Sequence, residues 1–211
     1  MNFPEIATLV TDIHFNHFKI DKNFQGIVPV VKPNEDIYTY YDYVAKAVKL
    51  KGLDYINLDR LEYEEKFILG RYQKYDDYIH IWVPNRISNC WQRYIAAKEL
   101  SHLIVDNDEK SYTVDIHTTI EWIIRDHTHK GVNAALDSEH IAAQFAIELL
   151  LPYHSTQKML KDASVPDGDI AEAFKVPLNI IEKIRDQKSK YLPRRDEAYK
   201  YTDIKHEVIQ P

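Results

Sequence analysis

The chain is poor in the residues that build several familiar kinds of site. A single cysteine, Cys90, in 211 residues excludes an internal disulfide and any cysteine-based zinc knuckle, and it fits a reducing compartment. Five glycines are few, and none belongs to a Gly-rich phosphate loop. No apolar run approaches the roughly 20 residues that span a bilayer, and the N-terminus lacks the basic-then-apolar pattern of a secretory signal. Basic charge is also short: 27 Lys and Arg stand against 33 Asp and Glu, for a net charge of −6. Without a basic field, a dedicated nucleic-acid binder is disfavoured. These absences predict a cytoplasmic protein with no membrane partner.

What remains is ordinary for a folded protein. The apolar fraction is 45% and the charged fraction 28%, enough to bury a core in one globular unit. Fifteen tyrosines suit aromatic packing with polar rims but identify no ligand. The reading is a single domain over residues 1–187, followed by a charged, Tyr-rich tail at 188–211 that lies on the surface or is partly disordered.

Along the chain, residues 1 to about 35 are mixed, with apolar stretches at Ile6–Val10 and Ile13–Phe18 and a short β segment near Gln25–Val31. His14 and His17 have a helical metal-ligand spacing but no evident third partner, so they read as packing or surface histidines. Tyr38–Leu50 reads as a helix, and Leu53–Leu61 as irregular or a short helix. Phe67–Tyr72 and Tyr78–Pro84 are expected to pair as an antiparallel hairpin around Gln73–Asp77. Ile116–Arg125 reads as helical, and His127 and His129 as solvated loop residues.

The central stretch is Arg93-Tyr94-Ile95-Ala96-Ala97-Lys98-Glu99-Leu100-Ser101-His102-Leu103-Ile104-Val105. It reads as a helix, with Ser88 or Asn89 as its N-cap. Within it, Lys98-Glu99-Leu100-Ser101-His102 is one residue away from H-E-x-x-H. In that pattern two histidines share a helix face and hold zinc, and the glutamate polarises the metal-bound water. Here a lysine stands at the first ligand position. Further on, Asp137 or Ser138 is expected to cap a helix from Glu139 to Leu151, closed by Pro152. Its Ala142, Ala143, Ala146, Leu149 and Leu150 form one packing face. Ile170–Ile184 reads as a helix, a tight turn and a helix, whose apolar content favours packing over DNA reading.

Taken in order, these segments resemble the ImmA/IrrE family of zinc metallopeptidases. Its members carry R-F-x-x-A-H-E-x-x-H, then E-x-x-A-N-x-F-A-x-x-L-L-M-P, then a segment like I-A-x-x-F-x-V-S. The matching stretches are Arg93 to His102, Glu139 to Pro152 and the segment from Ile170, and the resemblance covers roughly residues 60–185. It implies an α+β fold, a mostly helical zincin-like domain with a small antiparallel β-sheet. It also implies His102 and Glu139 at metal-ligand positions and Glu99 at the water-activating, catalytic position. Lys98 departs at the first ligand, Ala143 replaces the usual Asn, and Ser101 the usual Gly.

The lysine bears directly on chemistry. An ammonium has no lone pair and, with an ordinary pKa near 10.4, does not ligate at neutral pH. One His and one Glu fall short of the three protein ligands usual for catalytic zinc. Two readings follow. In the first, the protein is a degenerate, metallopeptidase-like binder with no resident cofactor. Its partner is a regulatory protein such as an XRE-type helix-turn-helix repressor of a mobile element or stress response. In the second, it is an active zinc endopeptidase with an atypical ligand set, rescued by His140, His80 or His117. In the first reading Lys98 stands in for the metal's charge, pairing with Glu139 and hydrogen-bonding His102.

Overall fold

Residues 1–14, 55–61, 70–75, 78–105 and 134–207 are described by the computed structural model. The segments expected at 25–31, 38–50 and 116–125, the strand start at 67–69, and His17, His117, His127 and His129 lie outside the described residues.

The N-terminus begins with a helix, α1 (Phe3–Asp12). Asn2 caps it in a reciprocal box: the Asn2 side chain accepts from the Glu5 amide, and the Glu5 carboxylate accepts from the Asn2 amide. Two orphan donors are satisfied at once, and Pro4 sits where no amide is needed. The apolar stripe Phe3, Ile6, Ala7 and Val10 is buried.

Three strands follow, β1 (Tyr55–Leu61), β2 (Arg71–Lys74) and β3 (Tyr78–Pro84), in the order β1-β3-β2. The β2–β3 pair is the expected antiparallel hairpin, with Arg71 opposite Trp82; Gln73 and Lys74, expected in the turn, instead continue β2 and pair with His80 and Ile79. The sheet as a whole is mixed, however, because β1 lies parallel to β3, from Tyr55 beside Tyr78 to Leu61 beside Pro84. β1 occupies the stretch read as irregular or a short helix. Asn57, Asp59 and Arg60 weaken its strand signal, and pairing with a central strand overrides such preferences. Ile79, Ile81 and Val83 are fully buried on one face of β3. His80 and Trp82 share the opposite face, their rings stacked at 3.9 Å.

The motif helix is α2 (Asn89–Val105). Ser88 is its cap, its hydroxyl accepting from the Trp91 amide. From Gln92 to His102 every side chain is buried, so α2 is a core helix on all sides and not an amphipathic surface one. It packs against the sheet and against α3 (Ala134–Leu150). α3 starts a turn earlier than expected, so Asp137 and Ser138 lie inside the helix and do not cap it.

Next come α4 (Tyr153–Lys161), α5 (Asp167–Phe174) and α6 (Leu178–Arg185). α5 closes with Lys175 at φ 53°, a left-handed position that usually favours glycine. The Val176 amide reaches back to the Ala171 carbonyl at 3.1 Å, sealing the turn. Ile170, Ala171, Phe174, Val176, Ile180, Ile181 and Ile184 are all buried, as their spacing predicts. Arg185 donates to the carbonyls of Asp162 and Val165, both at 2.7 Å, and pins the loop before α5.

The last described element corrects the expectation of a surface tail. Residues 191–207 form a helix, α7 (Tyr191–Glu207), packed along α1. Tyr191, Arg195, Ala198 and Tyr199 are buried. Polar residues dominate the segment, which is why it reads as a tail; three of them find buried partners that only the folded chain supplies. The architecture is α+β and mostly helical, with a small sheet. Among the described residues no helix is long and apolar enough to cross a membrane.

Candidate functional site

The site forms where α2 and α3 face each other. On α2, Tyr94, Lys98 and His102 recur every four residues and so share a face, with Glu99 beside them. On α3, Ser138 and Glu139 point back. The structure brings together Lys98, Glu99, His102 and Glu139, the residues singled out by the sequence. They are almost dry: 6%, 4%, 2% and 1% exposed.

Two oxygens of Glu139 do different work. Oε2 accepts from Lys98 Nζ at 2.7 Å, while Oε1 faces His102 Nε2 at 3.2 Å. The same ammonium lies 3.0 Å from Glu99 Oε1. On the far side of the imidazole, His102 Nδ1 meets the Ser138 hydroxyl at 3.2 Å. His102 thus bridges the two helices, one ring nitrogen beside the Glu139 carboxylate and the other beside the Ser138 hydroxyl. The Tyr72 ring stacks on His102 at 5.9 Å between centroids, so β2 closes the site from the sheet side. The expected direct hydrogen bond from Lys98 to His102 is replaced by a shared partner: both side chains engage Glu139, one on each oxygen.

The electrostatics follow from this geometry. Burial alone would push the Lys98 ammonium towards its neutral form, but the Glu99 and Glu139 carboxylates outweigh it and hold the pKa above the ordinary value. Burial likewise works against the Glu139 carboxylate, and His102 and Lys98 together bring its pKa below the usual range. Burial, with the charges of Glu139 and Glu99 added, pushes the Tyr94 hydroxyl far up. At neutral pH the site therefore holds a charged lysine between two carboxylates, next to a neutral phenol.

Gly70 shows how tightly the sheet approaches. A Cβ there would lie 2.3 Å from Ile95 Cγ2 and 2.6 Å from Glu99 Oε1. Ile95 is fully buried and Glu99 is held by Lys98, so neither can yield cheaply. Gly70→Ala is expected to destabilise the fold by about 1–3 kcal/mol through overpacking. An unchanged urea midpoint would show that the strand moves aside freely.

The donor set does not fit a catalytic zinc ion. The position that should bear the first ligand bears a cation, and that cation occupies one oxygen of Glu139 and one of Glu99. A metal there would meet an ammonium in place of a lone pair. Among the described residues, no group of three or more His, Cys, Asp or Glu side chains is arranged to hold a metal ion. Of the rescuing histidines, His80 stacks on Trp82 on the sheet face opposite Ile79, Ile81 and Val83. His140 follows Glu139 on α3, where successive side chains point about 100° apart.

Three contributors were not visible in sequence. Ser138 read as a cap and is instead a partner of His102. Gly70 and Tyr72 sit in a hairpin whose distance from α2 no local pattern encodes. Tyr94 could have been found, since it lies one helical turn before Lys98. The chain matches no protein-family model and no curated protein, so the chemistry of this site is argued from its own side chains.

Proposed function

We propose that the chain is a metallopeptidase-like protein of the ImmA/IrrE type, with a zincin-like core, in which an internal ion-pair network has replaced the hydrolytic centre. It acts by binding a regulatory protein, such as a helix-turn-helix repressor, without cutting it. The observation that carries this reading is the Lys98 ammonium, 2.7 Å from Glu139 and 3.0 Å from Glu99. Those two carboxylates are the ones that would bind the metal and activate its water. Engaged by a fixed cation, they keep their charge balanced without recruiting an ion. Hydrolysis then has neither a Lewis acid nor a bound hydroxide to work with.

The test is metal content and its response to one substitution. Protein purified without added zinc is expected to hold well under one zinc per chain. Lys98→His, which restores three ligands with His102 and Glu139, is expected to bind zinc measurably more tightly. About one zinc per wild-type chain, lost on His102→Ala or Glu139→Gln, would instead support an active endopeptidase with an unusual ligand set. For the binding half of the proposal, a repressor's helix-turn-helix domain is titrated calorimetrically and the mixture then run on a gel. Saturable heat with an intact repressor is the expected pair of results, and repressor fragments would overturn it.

A further inference from the structure

α3 carries a second buried carboxylate, Glu148, nine residues after Glu139. Nine residues at about 100° each is a half-turn offset, so the two glutamates face opposite sides of the helix. Glu139 faces α2, and Glu148 faces α7. Glu148 is fully buried and accepts four hydrogen bonds, all from α7. Tyr191 Oη donates to Oε1 at 2.6 Å and Tyr199 Oη to Oε2 at 2.9 Å. Arg195 Nε donates to both oxygens, at 3.0 and 2.9 Å. Both terminal nitrogens also have acceptors: Nη1 donates to Thr156 Oγ1 at 3.0 Å, and Nη2 to the Leu151 carbonyl. Tyr153 and Tyr199, stacked on each other at 4.3 Å, flank it with their rings.

Such a network holds α7 differently from an apolar face. Apolar contacts are non-directional and tolerate a slip, whereas a carboxylate that accepts from three side chains at once defines one register. Arg195 is the one donor shared by both Glu148 oxygens, whereas losing a tyrosine hydroxyl still leaves each oxygen with Arg195, so the cost of disruption grades with the donor removed. Elsewhere α7 lies along α1, with Phe3 against Tyr191 at 5.6 Å. α1 in turn is tied to α3, where His14 Nε2 donates to the Leu149 carbonyl at 3.1 Å.

We infer that α7 is a conformational latch on α3, and that its docking through the Glu148 cluster fixes Glu139 against Lys98 on the other side of the same helix. The C-terminal helix thereby controls whether the ion-pair site is closed. This goes beyond the binding function proposed above and does not depend on it, because it concerns only how α3 is held.

The test uses the full chain, with Arg195→Met as the disruptive variant and Tyr199→Phe as the mild one. Two readouts are taken together: amide exchange by region, and the rate at which an amine-selective reagent labels Lys98, mapped by peptide. In Arg195→Met, exchange is expected to rise about tenfold in both 191–200 and 139–150, with Lys98 labelling rising alongside, while β3 keeps its protection. Tyr199→Phe is expected to show the same pattern at smaller amplitude. Faster exchange confined to α7, with Lys98 labelled at the wild-type rate, would overturn the latch. So would an equal rise in β3, which would mean general loosening. Should Arg195→Met fail to fold, the same criteria applied to Tyr199→Phe decide the matter.

Discussion

Replacing Lys98 with methionine is expected to destabilise the fold by about 3–5 kcal/mol, the usual cost of removing one partner from a buried ion pair. The variant keeps most of the side chain's volume, so packing loss is small and the effect is electrostatic. Two carboxylates would remain in a site where Glu99 and Glu139 are 4% and 1% exposed, and His102 would be the cation candidate left to them among the contacts described. One of the carboxylates would then take up a proton near neutral pH. Adding Glu139→Gln removes the orphaned charge and is expected to recover part of the loss. A coupling of about 1–3 kcal/mol between the two positions is expected in a double-mutant cycle by urea unfolding at neutral pH. Additive effects would mean that the 2.7 Å contact contributes nothing specific.

The second large effect concerns acid. His14 is buried, and its pKa is lowered from 6.5 to about 4. Burial is the main cause, with the charges of Arg195 and His154 adding to it, against an opposing hydrogen bond to the Leu149 carbonyl. The sign follows from which state takes the proton. Below pH 6.5 the unfolded chain binds a proton at His14 that the folded chain refuses, so stability falls as pH drops and the loss is complete below about pH 4. At about 1.4 kcal/mol for each pH unit, the window from 6.5 to 4 should lose about 3 kcal/mol. His14→Gln, whose amide can still donate to a carbonyl, should flatten the curve across that window. Glu139 also loses stability in acid, because its folded pKa is depressed, but its contribution is lost only below the ordinary carboxylate value of 4.5. Urea midpoints measured between pH 7 and 4 separate the two groups. A slope in the variant equal to that of the wild type would rule out His14 as its source.

Local signals reached a good part of the fold. The apolar spacing and the Ser88 cap marked α2, the run from Ile141 to Leu151 marked most of α3, and the turn signals marked the β2–β3 hairpin. The pair Ile170–Ile184 was legible because its apolar residues recur on one face and a tight turn separates the two halves. Asn2-Phe3-Pro4-Glu5 has the pattern of a capping box with an early proline, yet α1 read only as an apolar stretch. Residues 188–211 differ in kind. Their tyrosines, arginines and lysines look solvated when counted, and nothing nearby reveals that Glu148, 47 residues before Arg195, accepts from three of them.

By itself the sequence determined which side chains would share a helix face, because the helical period places Tyr94, Lys98 and His102 in one line and Glu99 beside them. It also determined that a cation stands where the resemblance calls for a metal ligand. The tertiary structure decided what that cation does. Lys98 meets a carboxylate 41 residues away, β1 pairs parallel to β3 across a hairpin, and α7 is drawn into the core by a carboxylate on α3. Each of these depends on a polar group finding a partner far away along the chain. Local propensity acts over a few residues, whereas the cost of burying an unpaired charge is met only by whatever the finished fold places beside it.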